Sequence, residues 1–106
     1  MSETQTLAML GWSADIPPAG LWRLRIVLPS GDYSMVYSEW DQVGPPSLMQ
    51  RYDALAGLGY AVVEGGPDAW RWGEGLSETG GLMVAATTPI RLLTDREATA
   101  QAQGAA

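Results

Sequence analysis

Between Leu21 and Leu28 the chain alternates: Trp22, Leu24, Ile26 and Leu28 fall on one side, and Arg23 and Arg25 fall on the other with Leu21 and Val27. Period-two alternation of this kind predicts a β-strand with one wholly apolar face. Pro29-Ser30-Gly31-Asp32 supplies turn chemistry. Alternation then resumes from Tyr33 to Trp40, with Tyr33, Met35 and Tyr37 opposite Ser34, Val36, Ser38 and Trp40, so the two runs predict a β-hairpin. Upstream, Thr6 to Trp12 predicts another strand. The stretch Asp15-Ile16-Pro17-Pro18-Ala19-Gly20 reads as a loop, because its prolines have no donor to give a ladder.

After Gly44-Pro45-Pro46 the period changes. Ser47 with Gln50 three residues on matches a capping box, in which each side chain satisfies an otherwise orphan backbone N–H. A helix is expected from there, with Leu48, Tyr52, Leu55 and Ala56 as its buried stripe and Gln50, Arg51 and Asp53 facing water. Gly59 suits the left-handed position that ends a helix. Tyr60 to Glu64 and Ala69 to Gly73 then flank Gly65-Gly66-Pro67-Asp68 as strand, turn and strand. Leu82 to Leu93 is a long apolar run broken by Pro89, which suggests a strand that bends or lies at a sheet edge. The order is β-β-β-α-β-β-β: an α+β domain with an antiparallel sheet of five to six strands and one helix on one face. Residues 1–93 form that domain. Residues 94–106 lack large apolar side chains and read as a frayed helix or a flexible Ala/Gln-rich tail.

Composition narrows the function more than it identifies it. A chain of 106 residues has room for one core, and 46% apolar against 17% charged residues is globular usage. Without cysteine or histidine, disulfides, thiolate zinc sites, imidazole ligation and a Ser-His-Asp arrangement are all excluded. The N-terminus lacks a basic n-region and is followed by only a short apolar stretch, so no signal peptide is expected, and no run approaches the ~20 apolar residues of a spanning helix. The expectation is a soluble cytoplasmic protein with no membrane contact. Twelve acidic against six basic residues, a net charge of −6, repels phosphate backbones and disfavours nucleic acid as a partner. Every cation is arginine, while alanine and glycine abound, as in a GC-rich genome.

Several segments carry a resemblance. Leu21-Trp22-Arg23-Leu24, the helix from Arg51 to Tyr60, Trp70-Arg71-Trp72 with Glu74 close behind, and the closing Pro89-Ile90-Arg91 follow one another in an order that resembles a small uncharacterised family of Streptomyces-type proteins, known only as a domain of unknown function. The resemblance implies no activity, cofactor or residue role.

Candidate chemistry is sparse. Ser13, Ser30, Ser34, Ser38, Ser47 and Ser77 have no base and suit turns and caps. Glu39, Asp41, Glu64, Glu74 and Glu78 are numerous enough for carboxylate acid/base work, yet number is not geometry, and solvated surface charge is the simpler reading. No stretch matches a calcium loop, and Gly65-Gly66-Pro67 and Gly73-Glu74-Gly75 read as turns, not phosphate loops. No catalytic residue, metal or cofactor is expected.

The five tryptophans stand above that background. Each buried indole removes roughly 150–250 Å² from water, so most belong to the core, Trp22 first. Trp12 and Trp40, near element ends, could go either way. Trp70 and Trp72 would share one strand face, Arg71 the other. They either bury under the helix or, with Arg71, Arg23 and Arg25 nearby, form an exposed aromatic platform for a partner.

The expectation is a non-enzymatic module that binds a protein, or a second copy of itself, through an exposed sheet face or edge. Single-stranded nucleic-acid binding by the Trp/Arg face is the first alternative and a small carboxylate-dependent enzyme the second.

Overall fold

The computed structural model describes residues 5–15, 19–33 and 37–104. The strands are β1 (Leu7–Ser13), β2 (Trp22–Val27), β3 (Ser38–Trp40), β4 (Tyr60–Val62), β5 (Arg71–Leu76) and β6 (Leu82–Leu92), and the helices are α1 (Leu48–Gly57) and α2 (Asp95–Gly104). All pairing is antiparallel. The sheet runs β3-β2-β1-β6 and curls into a half-barrel; the far side of β6 is shared by β5 along its first half and β4 along its second. The expected α+β class and antiparallel sheet are present, with a second helix added.

The alternation in β2 is the foundation of the core. Trp22, Leu24 and Ile26 are buried, and opposite them on β1 stand Trp12, Leu10 and Ala8, with Val84, Ala86 and Thr88 next across on β6. Leu55 of α1, fully buried, closes this face. The helix begins as its sequence dictates. Ser47 Oγ accepts from the Gln50 amide at 3.1 Å, and the Gln50 side chain accepts from the Ser47 amide at 2.7 Å. Gly59 follows its end at φ 95°, a conformation that costs glycine no Cβ clash.

Five expectations need correction. The buried stripe of α1 runs through Leu48, Arg51, Leu55 and Leu58, so Arg51 is buried and Tyr52 sits at its flank, its hydroxyl accepting from the Gly66 amide at 2.9 Å. Among the described residues, the returning arm of the first hairpin is a regular strand at β3, Ser38–Trp40. Tyr33 bridges Val27 beside the turn, and Ser38, Glu39 and Trp40 pair with Leu24, Arg23 and Trp22. Met35 and its neighbours at 34–36, like Ile16, Pro17 and Pro18, lie outside the described residues. β4 and β5 do not pair with each other; both pair with β6, separated by a 3-10 turn at Pro67–Ala69. Gly73-Glu74-Gly75 is the middle of β5, not a turn.

The fifth correction concerns β6, which is central and not an edge. Pro89 is tolerated there because the Ile90 amide reaches Thr6 on the β1 side, while the Pro89 carbonyl accepts from Val63 on the other. The missing N–H therefore falls at the seam where β5 ends and β4 begins.

At the C-terminus, Thr94 and Glu97 form a second capping box, with Thr94 N to Glu97 Oε1 at 2.9 Å and Glu97 N to Thr94 Oγ1 at 3.2 Å. The helix that follows runs from Asp95 to Gly104.

Candidate binding surfaces

The tryptophan pair is divided between inside and outside. Trp70 ends the 3-10 turn and is 4% exposed; Trp72, two residues on, is 46% exposed. The Arg51 guanidinium lies against both, 5.0 Å from the Trp70 ring centroid and 5.6 Å from that of Trp72, while its Nε donates to the Pro46 carbonyl at 2.8 Å. Trp70 is buried all the same, and Trp72 stays half open to solvent. Trp72 meets Trp22 edge-on, with centroids 6.2 Å apart at 83°, and Trp12 continues the row 6.2 Å beyond Trp22. A platform built from both Trp70 and Trp72 does not form.

The arginines occupy the opposite face. Cross-strand register places Arg25, Met9, Thr87 and Arg71 in one row, and Glu39, Arg23, Gly11, Ala85 and Gly73 in the next. Arg23, Arg25 and Arg71 therefore share a face with one another and not with the indoles. Arg71 stands three strand spacings from Arg25, about 14 Å. Arg23 pairs with Glu39 at 2.5 Å and lies 4.3 Å from the Tyr37 centroid. Arg25 lies 5.7 and 5.6 Å from the rings of Tyr33 and Tyr37 and has no carboxylate partner among the described residues.

Beside this cluster the open face sinks into a mainly apolar trough of about 530 Å³. Its floor is Gly11, Ala85, Gly73 and Gly75, and Met9 and Met83 flank it. Of the carboxylates singled out above, Glu74 borders the trough; Glu39, Asp41, Glu64 and Glu78 do not line it. Among the described residues, no group of three or more acidic side chains could hold a metal ion. No described helix is long and apolar enough to cross a membrane.

At the end of the trough, the Asp15 carboxylate locks the β1–β2 loop to the β5–β6 turn. It accepts from the hydroxyls of Ser77, at 2.7 Å, and Thr79, and from the Gly81 amide at 3.2 Å. These donors, Thr79 foremost, hold the carboxyl below its ordinary range.

Residues 12–104, from the end of β1 through α2, match the model of a family of unknown function, DUF6303. The chain belongs to this family. No curated protein and no solved structure matches it. The DUF6303 region takes in Arg23, Arg25, Arg71 and Trp72, together with all of the trough's β5 and β6 residues.

Reading residues singly missed the trough and the two tyrosines. The signal was present: Gly11, Gly73, Gly75 and Ala85 all occupy the same parity as Arg23 and Arg25 once the strands are aligned. Alignment, however, is tertiary information.

Proposed function

We propose that this chain is a small non-enzymatic binding module of the cytoplasm that meets another protein through the free edge of β5. One observation carries the reading: among the described residues β5 pairs with β6 alone, and all six of its residues are exposed. The amides of Met83, Ala85 and Thr87 turn toward β5, since the Leu82 carbonyl and the Ile90 amide both turn toward the β1 side. Arg71, Gly73 and Gly75 therefore face β6, and the amides of Trp72, Glu74 and Leu76 face outward. An open edge is a template for an added strand, and Trp72, with Leu76 at 73% exposure four residues farther along the same face, supplies apolar anchorage. The partner's extended segment would pair along Trp72–Leu76; a second copy's β5 is the homodimeric version. We also read the family as actinobacterial, supported by the all-arginine cations and abundant alanine and glycine.

Affinity capture from host lysate, with and without nuclease, tests this reading by comparing the native chain with Glu74→Pro, which deletes an outward amide and leaves the β6 ladder whole. A protein retained after nuclease and lost from the folded variant is the expected result. Identical capture by both chains would sink the edge reading, nuclease-sensitive capture would favour nucleic acid, and sizing of the purified chain separates the homodimer.

A further inference from the structure

The trough on the open face goes beyond the β5 edge and does not depend on it. From its geometry we infer that it is a small-molecule site for a planar aromatic carboxylate, with the carboxylate at Arg25 and the ring on the Gly11–Ala85–Gly73 floor. A volume of about 530 Å³ is that of a ligand pocket, and its lining is mainly apolar, with Ser13 and Glu74 toward one end and Arg23 and Arg25 toward the other. That end is cationic: Arg25 and Arg23 both line it, and of the two Arg25 has no carboxylate partner among the described residues. Tyr33 and Tyr37 lie beside the Arg25 guanidinium and preset its direction. A planar guanidinium matches a carboxylate with two parallel hydrogen bonds, and an apolar wall beside it strengthens the pairing.

The floor argues for the flat part of the ligand. Gly11, Gly73 and Gly75 lie inside strands, none has positive φ, and an added Cβ at any of them would meet nothing within 4 Å. The fold thus has neither a conformational nor a packing need for glycine at these positions, although glycine within a strand is less stabilising than alanine. What the three gain is a smooth surface across β1, β6 and β5, on which a ring can lie within van der Waals distance of the backbone. The thioethers of Met9 and Met83 border that surface and suit aromatic ring edges.

The test is a titration of the full chain with 2-naphthoate, followed by amide NMR and calorimetry, with 2-naphthamide and decanoate as comparators. The expected result is shifts centred on Gly11, Gly73, Gly75 and Ala85. Replacing the carboxylate by the carboxamide, or Arg25 by Gln, should each weaken binding about tenfold, as the loss of a charge-assisted contact does. Gly73→Val, which fills the floor with a good strand former, should abolish binding without lowering the unfolding midpoint; Gly11→Ala serves as the milder second variant. The proposal is overturned by a folded protein with no shifts at those amides at millimolar 2-naphthoate. Equal affinity for the carboxamide, or binding unchanged in both glycine variants, overturns it too. Decanoate binding as tightly as 2-naphthoate would overturn the planar part. A Glu74→Pro chain that loses its protein partner yet still binds 2-naphthoate separates this site from the edge.

Discussion

The guanidinium of Arg51 is buried against the ring of Trp70, 5.0 Å from its centroid, and one hydrogen bond from its Nε to the Pro46 carbonyl holds it there. Helix, 3-10 turn and β5 meet at this cation, and its burial pulls its pKa below the ordinary arginine value.

Arg51→Lys is expected to destabilise more than Arg51→Met. Lysine loses the planar stack and brings a more strongly hydrated charge into the same place, whereas methionine keeps the apolar volume and gives up one hydrogen bond. A cost of about 1–3 kcal/mol for lysine, read from urea midpoints, checks this. A lysine variant as stable as the native chain would mean that the stack contributes nothing.

At the opposite end, a Cβ on Gly81 would collide with the Asp15 carboxylate. Gly81→Ala should therefore lower the melting temperature in the native background and do so much less in an Asp15→Ala chain. Equal effects in the two backgrounds would show that Asp15 is not held against the turn.

Glu97 receives two hydrogen bonds from Arg91, at 2.7 and 3.0 Å, and caps α2; Arg91 first, then the Thr94 amide, brings its pKa down from 4.5 to about 2. A carboxyl depressed in the folded state stabilises above its unfolded pKa and loses that contribution as pH falls through the folded one. The α2 segment should hold its amide signals at pH 5 and lose them progressively between pH 4.5 and 2. Glu97→Gln should remove that transition; an unchanged profile in the variant would assign the acid sensitivity elsewhere.

Gly73→Ala should raise stability by about 0.5–1 kcal/mol, since the Cβ meets open space and the unfolded chain loses freedom. A fall in the melting temperature would reveal a packing role for this glycine.

Much of the fold was legible along the chain because its signals are local. The Trp22–Ile26 alternation made β2, the Ser47–Gln50 box started α1, and Gly59 stopped it. Thr94 and Glu97 carried an equally readable capping box, overlooked because the segment after it has so little to bury. Arg51 was misread because charge predicts exposure, and its burial is made tolerable by the nearby Pro46 carbonyl together with two indoles brought from a distant part of the chain.

Strand partners lay beyond local reading. A period of two says which residues share a face of their own strand but not which strand lies alongside, so β4 and β5 looked like a hairpin and β6 like an edge. The sequence by itself determined the element types, the apolar face of β2, the helix start and the acidic charge, all consequences of neighbours in the chain. Only the tertiary structure decided that Trp70 is inside and Trp72 outside. It also set Arg23 and Arg25 on the face away from the indoles and aligned three glycines with Ala85 into a floor, because each of these depends on register between strands that are far apart in sequence.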